Sequence, residues 1–206
     1  ILIAPLLLLA SPAVRRTLKE LEPFKGAYVR YSKWRYDWRS PSDVGDGKNA
    51  LEIIIESPMG LAEDASGNLY VSDRANRVVW RIEPSGQATV IAGTGRVTGT
   101  DGLPRSRVVA RDVDFAIPEG LVIDKDQNVL LADSLNHAIV KIDRDGYLTL
   151  IAGNGHDGFN GDGMKATDAS LGLPYDVRLD SKGNIFVADV SNHRIRKIDS
   201  NGFIST

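Results

Sequence analysis

Residues 118–153 read PEGLVIDKDQNVLLADSLNHAIVKIDRDGYLTLIAG. Four short apolar runs lie inside this stretch, at 121–124, 128–133, 138–143 and 148–153. Each is about the length of one strand. Each break carries turn chemistry: Lys125-Asp126-Gln127, Ser134-Leu135-Asn136 and Arg144-Asp145-Gly146. The stretch therefore predicts a four-stranded antiparallel meander.

The same unit stands on both sides of itself. Residues 58–93 superpose on 118–153 at an offset of 60, and 118–153 on 174–206 at an offset of 56, the third copy stopping short. Matching positions include Pro58/Pro118/Pro174, Asp64/Asp124/Asp180, Asp73/Asp133/Asp189, Asn76/Asn136/Asn192 and Gly86/Gly146/Gly202. A second shared element lies between copies. Gly45-Asp46-Gly47 and Ala50 precede the first copy, and Gly161-Asp162-Gly163 and Ala166 stand at the same distance before the third. Repetition at this period is the signature of a repeat architecture.

The second strand of the unit decides which one. Val129 and Leu131 point to one side and Leu130 and Ala132 to the other; in the third copy Ile185 and Val187 oppose Phe186 and Ala188. A strand apolar on both faces is buried on both faces. A small sheet achieves this by stacking between two like sheets, as propeller blades do. The predicted fold is all-β, a β-propeller of four-stranded antiparallel blades, about three of them in this chain. Arg194, Arg196 and Lys197 suit a third strand nearer the rim.

These residues resemble the NHL-repeat family of β-propellers. Gly-Leu-Val-Ile-Asp at 120–124, Asn-Ile-Phe-Val-Ala-Asp at 184–189, the Asp-x-x-Asn-His-Arg-Ile-Arg-Lys-Ile-Asp run at 189–199 and the Ile-Ala-Gly endings carry the likeness. The long link at 153–174 looks like the bacterial and teneurin-like long-loop type. The resemblance covers residues 45–206. It implies the fold far more narrowly than the function, because the family includes ligand sensors, RNA- and protein-binding scaffolds and a metal-dependent amidating lyase. Family propellers have about six blades, and closure takes about 4–8. The chain starts without Met and stops inside a strand, so it is read as a fragment of a longer protein, or else as a partial propeller completed by other copies of itself. Either way, two end faces and an unpaired outer edge on the last blade are expected.

The repeats also sort residues by role. Asp73, Asp133 and Asp189, each followed three positions later by Asn76, Asn136 or Asn192, have a spacing suited to side-chain bonds around a turn. His137 and His193 are repeat equivalents replaced by Arg77, which favours a turn role over metal binding. The amidating-lyase pattern is not carried over, since a three-His site would need every histidine in the chain. Positions that break register are different. After the repeat proline come Met59-Gly60, Glu119-Gly120 and Tyr175-Asp176. In the family this segment leads into the innermost strand, so Glu119, Tyr175 and Asp176 are the candidate ligand-binding residues at the channel mouth. Asp157, Asn160 and Asp162 could offer oxygens to calcium, although their spacing is not that of an EF-hand and turn formation is the favoured reading.

The N-terminal segments are organised differently. Residues 1–13 open with the apolar ILIAPLLLLA and read as a signal-peptide or membrane-helix remnant: Ser11 and Ala13 suit a cleavage site, Arg15 and Arg16 a positive flank. A buried helix is the third reading. Residues 14–44 form a basic, aromatic lead-in. Within it, 28–39 alternates aromatic and charged side chains, either as a strand packed on the domain or as an interfacial belt, giving possible membrane association through 1–39.

Composition narrows the function classes. With 42% hydrophobic and 25% charged residues the chain is ordinary for a globular protein, and with no cysteine it has no disulfide, thiolate metal site or cysteine nucleophile. Eight basic and three acidic residues lie between 15 and 39, which leaves −7 for the remainder of a chain whose net charge is −2. An acidic domain argues against nucleic acid. The sequence reading is thus a non-catalytic, exported or membrane-anchored scaffold for a protein, peptide or glycan, with no cofactor unless calcium and with self-association of this segment. The alternative is a propeller enzyme of lyase or lactone hydrolase type, with a metal in the central channel.

Overall fold

The computed structural model describes residues 40–96 and 103–206. The readings of residues 1–13 and of most of 14–44 lie outside the described residues. After a single helical turn, α1 (Pro41–Val44), the chain forms three antiparallel sheets. Blade 1 is β1 (Pro58–Glu63), β2 (Leu69–Asp73), β3 (Val78–Ile82) and β4 (Ala88–Ala92). Blade 2 is β6 (Pro118–Ile123), β7 (Val129–Asp133), β8 (Ala138–Ile142) and β9 (Tyr147–Ala152), with the short β5 (Val108–Val109) added outside β9. Blade 3 is β10 (Pro174–Leu179), β11 (Ile185–Asp189), β12 (Arg194–Ile198) and β13 (Ile204–Ser205). Within each blade, consecutive strands pair in order.

The hairpins form where the repeated turn residues stand. In the first turn of every blade an aspartate closes the loop: Asp64, Asp124 and Asp180 each accept two backbone N–H groups and the Asn68, Asn128 or Asn184 side-chain amide. In the middle turn the residue before β3, β8 or β12 is left-handed, at φ 55° for Arg77, 51° for His137 and 55° for His193. This places both histidines in turns.

Blades stack as the strand parity requires. Val129 and Leu131 of β7 pack with Tyr70 and Val79 of blade 1, while Leu130 and Ala132 pack with Val177 and Val187 of blade 3. Both faces of blade 2 are therefore core. The first strands run side by side, β6 between β1 and β10. Glycine permits this approach: a Cβ on Gly60 would come within 2.8 Å of the Glu119 carbonyl oxygen, and one on Gly120 within 2.8 Å of Asp176 Cα.

Three expectations need correction. The two end faces are not alike: blade 1's outer face, with Leu69, Val71 and Trp80, is covered by Val44, Ala50 and Ile53–Ile55. The last outer edge is not bare either, because the Ile204 N–H donates to the Met164 carbonyl and the Gly163 N–H to the Ile204 carbonyl. The same wrapping occurs in every blade, since Ala50, Ala110 and Ala166 donate their N–H groups to the carbonyls of Gly86, Gly146 and Gly202. The shared Gly-Asp-Gly and Ala element is thus an edge strip. Finally, Arg196 does not lie at an open rim but is fully buried, in the place of Val140 and Trp80.

Candidate functional site

The three repeat Asp–Asn pairs tie the chain across a longer distance than one turn. Asp133 accepts the N–H groups of Ala116 (3.2 Å) and Ile117 (2.8 Å) and the Asn136 amide (2.7 Å). Asp73 holds Glu56, Ser57 and Asn76 in the same way, and Asp189 holds Gly172 and Asn192. The asparagines reach further into the incoming link, to the carbonyls of Ile54, Asp114 and Gly158. These carboxylates therefore fasten the entry to each inner strand. Burial raises Asp73 and pushes Asp133 up to about 6, against the hydrogen bonds that favour its charged form.

At the inner-strand end the register-breaking residues meet unforeseen partners. Glu119 has only 2% of its side chain exposed, and its Oε1 lies 3.4 Å from the Arg74 guanidinium, which reaches it from blade 1. Its Oε2 is buried without a hydrogen-bond partner. Burial pushes this carboxyl up to about 6, the charge of Asp133 adds to the rise, and Arg74 opposes it. Tyr175 is exposed beside the pair; burial and the charge of Glu119 raise its hydroxyl and Arg74 lowers it. Asp176 follows Tyr175 on β10, with Oδ1 accepting from the Val177 N–H (2.9 Å) and 2.9 Å from Arg178 Nη1. Burial raises its carboxyl, while Arg178 and the Val177 N–H lower it. Glu119, Tyr175 and Asp176 thus meet where β6 and β10 run side by side, Glu119 paired with Arg74 and Asp176 with Arg178.

Arg74 stands outside the register-breaking positions that follow the repeat proline. The residue after the repeat aspartate breaks register as well, as Arg74, Ser134 and Val190. Each of the first two reaches the next blade, Ser134 by donating to the Pro174 carbonyl at 2.6 Å.

The three candidate calcium ligands have separate engagements. Asp157 lies 4.0 Å from His137 Nδ1; Asn160 accepts from the Ser170 N–H and donates to the Asp168 carbonyl. Asp162 accepts from Thr206 Oγ1 and from Arg196. Asp46, its repeat equivalent, likewise accepts from the outer strand, at the Val90 N–H. Among the described residues, no group of three or more His, Asp or Glu could hold a metal ion. Arg196 explains its own burial: it donates to the Gly161 carbonyl at 2.8 Å, and Asp162 and the buried Asp189 lie within 3.5 Å.

Four-stranded sheets stacked face to face, with their first strands in contact, are blades of a β-propeller. Residues 155–206 match the Teneurin NHL domain. Mouse teneurin-1 is 26% identical over 178 residues, spanning 78% of this chain and 6% of teneurin-1. A Bacteroides thetaiotaomicron protein of unknown function superposes with a TM-score of 0.57 at 26% identity, over 68% of this chain and 34% of that one. A gluconolactonase from Xanthomonas campestris shares the fold, with a TM-score of 0.52 and 17% identity over 72% of this chain and 46% of that one. The chain thus has the β-propeller fold and is similar in sequence to NHL-repeat proteins.

Proposed function

We propose that this chain is a non-catalytic binding scaffold that receives a protein, peptide or glycan ligand at the inner-strand end of its blades. The observation that carries the reading is the Arg74–Glu119 pair beside exposed Tyr175. Elsewhere the conspicuous carboxylates recur in each copy and fasten backbone. Here the residues are unique to their copies and bridge two blades. Binding of the full chain to glycan and peptide arrays tests it. Ligands found there should lose affinity with Tyr175→Ala at unchanged melting temperature; retention of full affinity by that variant would remove the inner end from the function.

The scaffold works outside the cytoplasm or at a membrane. Support comes from the apolar residues 1–10 followed by Arg15 and Arg16. No helix among the described residues is long and apolar enough to cross a membrane. Fusion of the full chain to an enzyme active only in an oxidising compartment tests this, and an inactive fusion would count against it. A second copy of the chain is the proposed occupant of the blade 3 face that carries Ile195, 60% exposed and without a sheet against it among the described residues.

A further inference from the structure

We infer that the inner-strand site takes a carboxylate-bearing ligand, gripped by Arg74 and Arg178. The inference rests on the inner end being a binding site and names what binds there. Two guanidinium groups are anchored on the same strand, β6, from opposite neighbours. Arg74 of blade 1 reaches the Glu119 side chain at 3.4 Å. Arg178 of blade 3 reaches back, donating Nη1 to the Leu121 carbonyl at 3.1 Å and to its neighbour Val177 at 2.9 Å. The two anchor residues are two positions apart, about 7 Å along a strand.

What this arrangement offers to solvent is chiefly hydrogen-bond donors. The Arg74 side chain is 43% exposed over a Glu119 that is 2% exposed, and Arg178 is 62% exposed over an Asp176 that is 34% exposed. Each acid thus lies deeper than its arginine and spends an oxygen on it. A guanidinium carries five N–H donors and no acceptor. Exposed Tyr175 adds a phenol and a ring face. A cationic ligand would meet guanidinium groups standing outside carboxylates that each already hold an arginine, and a neutral polyol would leave half of its hydrogen-bonding unmet. A planar carboxylate matches a fork with two parallel bonds. Two arginines and two carboxylates also sum to zero formal charge, which suits a singly charged group better than a phosphate.

Calorimetric titration of the full chain with four probes and inorganic phosphate tests this. The acids are sodium glucuronate, an acidic sugar, and N-acetyl-alanyl-alanine, a peptide end; the neutral counterparts are glucose and the dipeptide amide. At least one acid should bind in preference to its neutral partner, and which one identifies the source of the carboxylate. Affinity should fall about tenfold or more with Arg74→Gln or Arg178→Gln, the loss of a charge-assisted bond, and less with Arg74→Lys. The double variant Arg74→Gln/Glu119→Gln leaves no stranded buried carboxylate, so its loss of binding with intact melting separates recognition from folding. Neutral probes binding as tightly as the acids, with sensitivity to Tyr175→Ala, would overturn the carboxylate and leave the inner-end site standing. Phosphate binding more tightly than both acids, no binding of either acid, or acid binding indifferent to both arginine variants would overturn the inference. The last result would count against the inner-end site as well.

Discussion

Ile139 and Ile195 hold the same place in consecutive blades, yet the first is fully buried and the second 60% exposed. The difference lies in what covers them. Ile139 belongs to the core between blades 2 and 3, whereas the corresponding face of blade 3, with Phe186, Ala188 and Ile195, has no sheet against it among the described residues. Blade 1 shows a third condition, its outer face being covered by residues 44–55 rather than by a sheet. Identical repeat positions therefore take their energetic weight from the neighbour, as expected when stability is a sum of units and interfaces.

The largest test of this contrast is Ile139→Ala, which should cost about 2–5 kcal/mol as a buried cavity, read from denaturant unfolding. A cost below 1 kcal/mol would mean that the interface between blades 2 and 3 is not a packed core. Next comes Asp133→Ala. Three donors lose their acceptor inside the protein, so a loss of about 2–3 kcal/mol is expected, with ligand affinity of the folded fraction unchanged. Lost affinity at unchanged stability would instead move Asp133 into the binding site.

Smaller is the effect of pH through Glu119. Its folded value of about 6 lies above the ordinary 4.5, so between those values the folded state binds more protons than the unfolded one. Stability then falls as pH rises through that window, by about 1–2 kcal/mol for this group alone. Glu119→Gln should gain on the wild type from pH 4.5 to 6.5 in urea melts; a difference independent of pH would contradict the assignment. Asp133, also near 6, keeps its own share of the slope in that variant.

Least costly is Ile195→Lys, expected to change monomer stability by about 0.5 kcal/mol or less. Sedimentation should show its effect instead. If the face around Ile195, uncovered among the described residues, draws a second copy, the wild-type chain should dimerise and the substituted chain should remain monomeric. A wild-type chain that is monomeric at high concentration would show that the open face does not draw a second copy.

The blades were legible because burial on two faces leaves an unmistakable mark in β7, with Val129 and Leu131 opposed to Leu130 and Ala132. The fixed spacing of Asp133 and Asn136 marks them as a pair, but the reach of Asp133 back to Ala116 and Ile117 is not written in that spacing. Contacts between blades were not legible. Arg74 and Glu119 are 45 positions apart and obey no periodicity, so only the stacking of β1 on β6 brings them together. Arg196 looked like a rim residue because charge is normally read as exposure; its burial depends on Asp162 and Asp189 from two other segments. The edge strip at 163–166 shows in the sequence only as a shared element, since Gly161-Asp162-Gly163 carries no strand alternation.

That strip separates the sequence repeat from the cooperative unit. Blade 3 spans residues 174–206 by homology, but its outermost hydrogen bonds come from 163–166, upstream of Pro174. A truncation placed at Pro174 would strip the seam from the blade it meant to isolate and leave β13 pairing on one side only. Cuts placed before Gly161, or before Gly45 for the first blade, keep each seam with its sheet. Native-state hydrogen exchange should follow the same partition, with the amides of Ala50, Ala110 and Ala166 protected together with the blade that follows them in the chain.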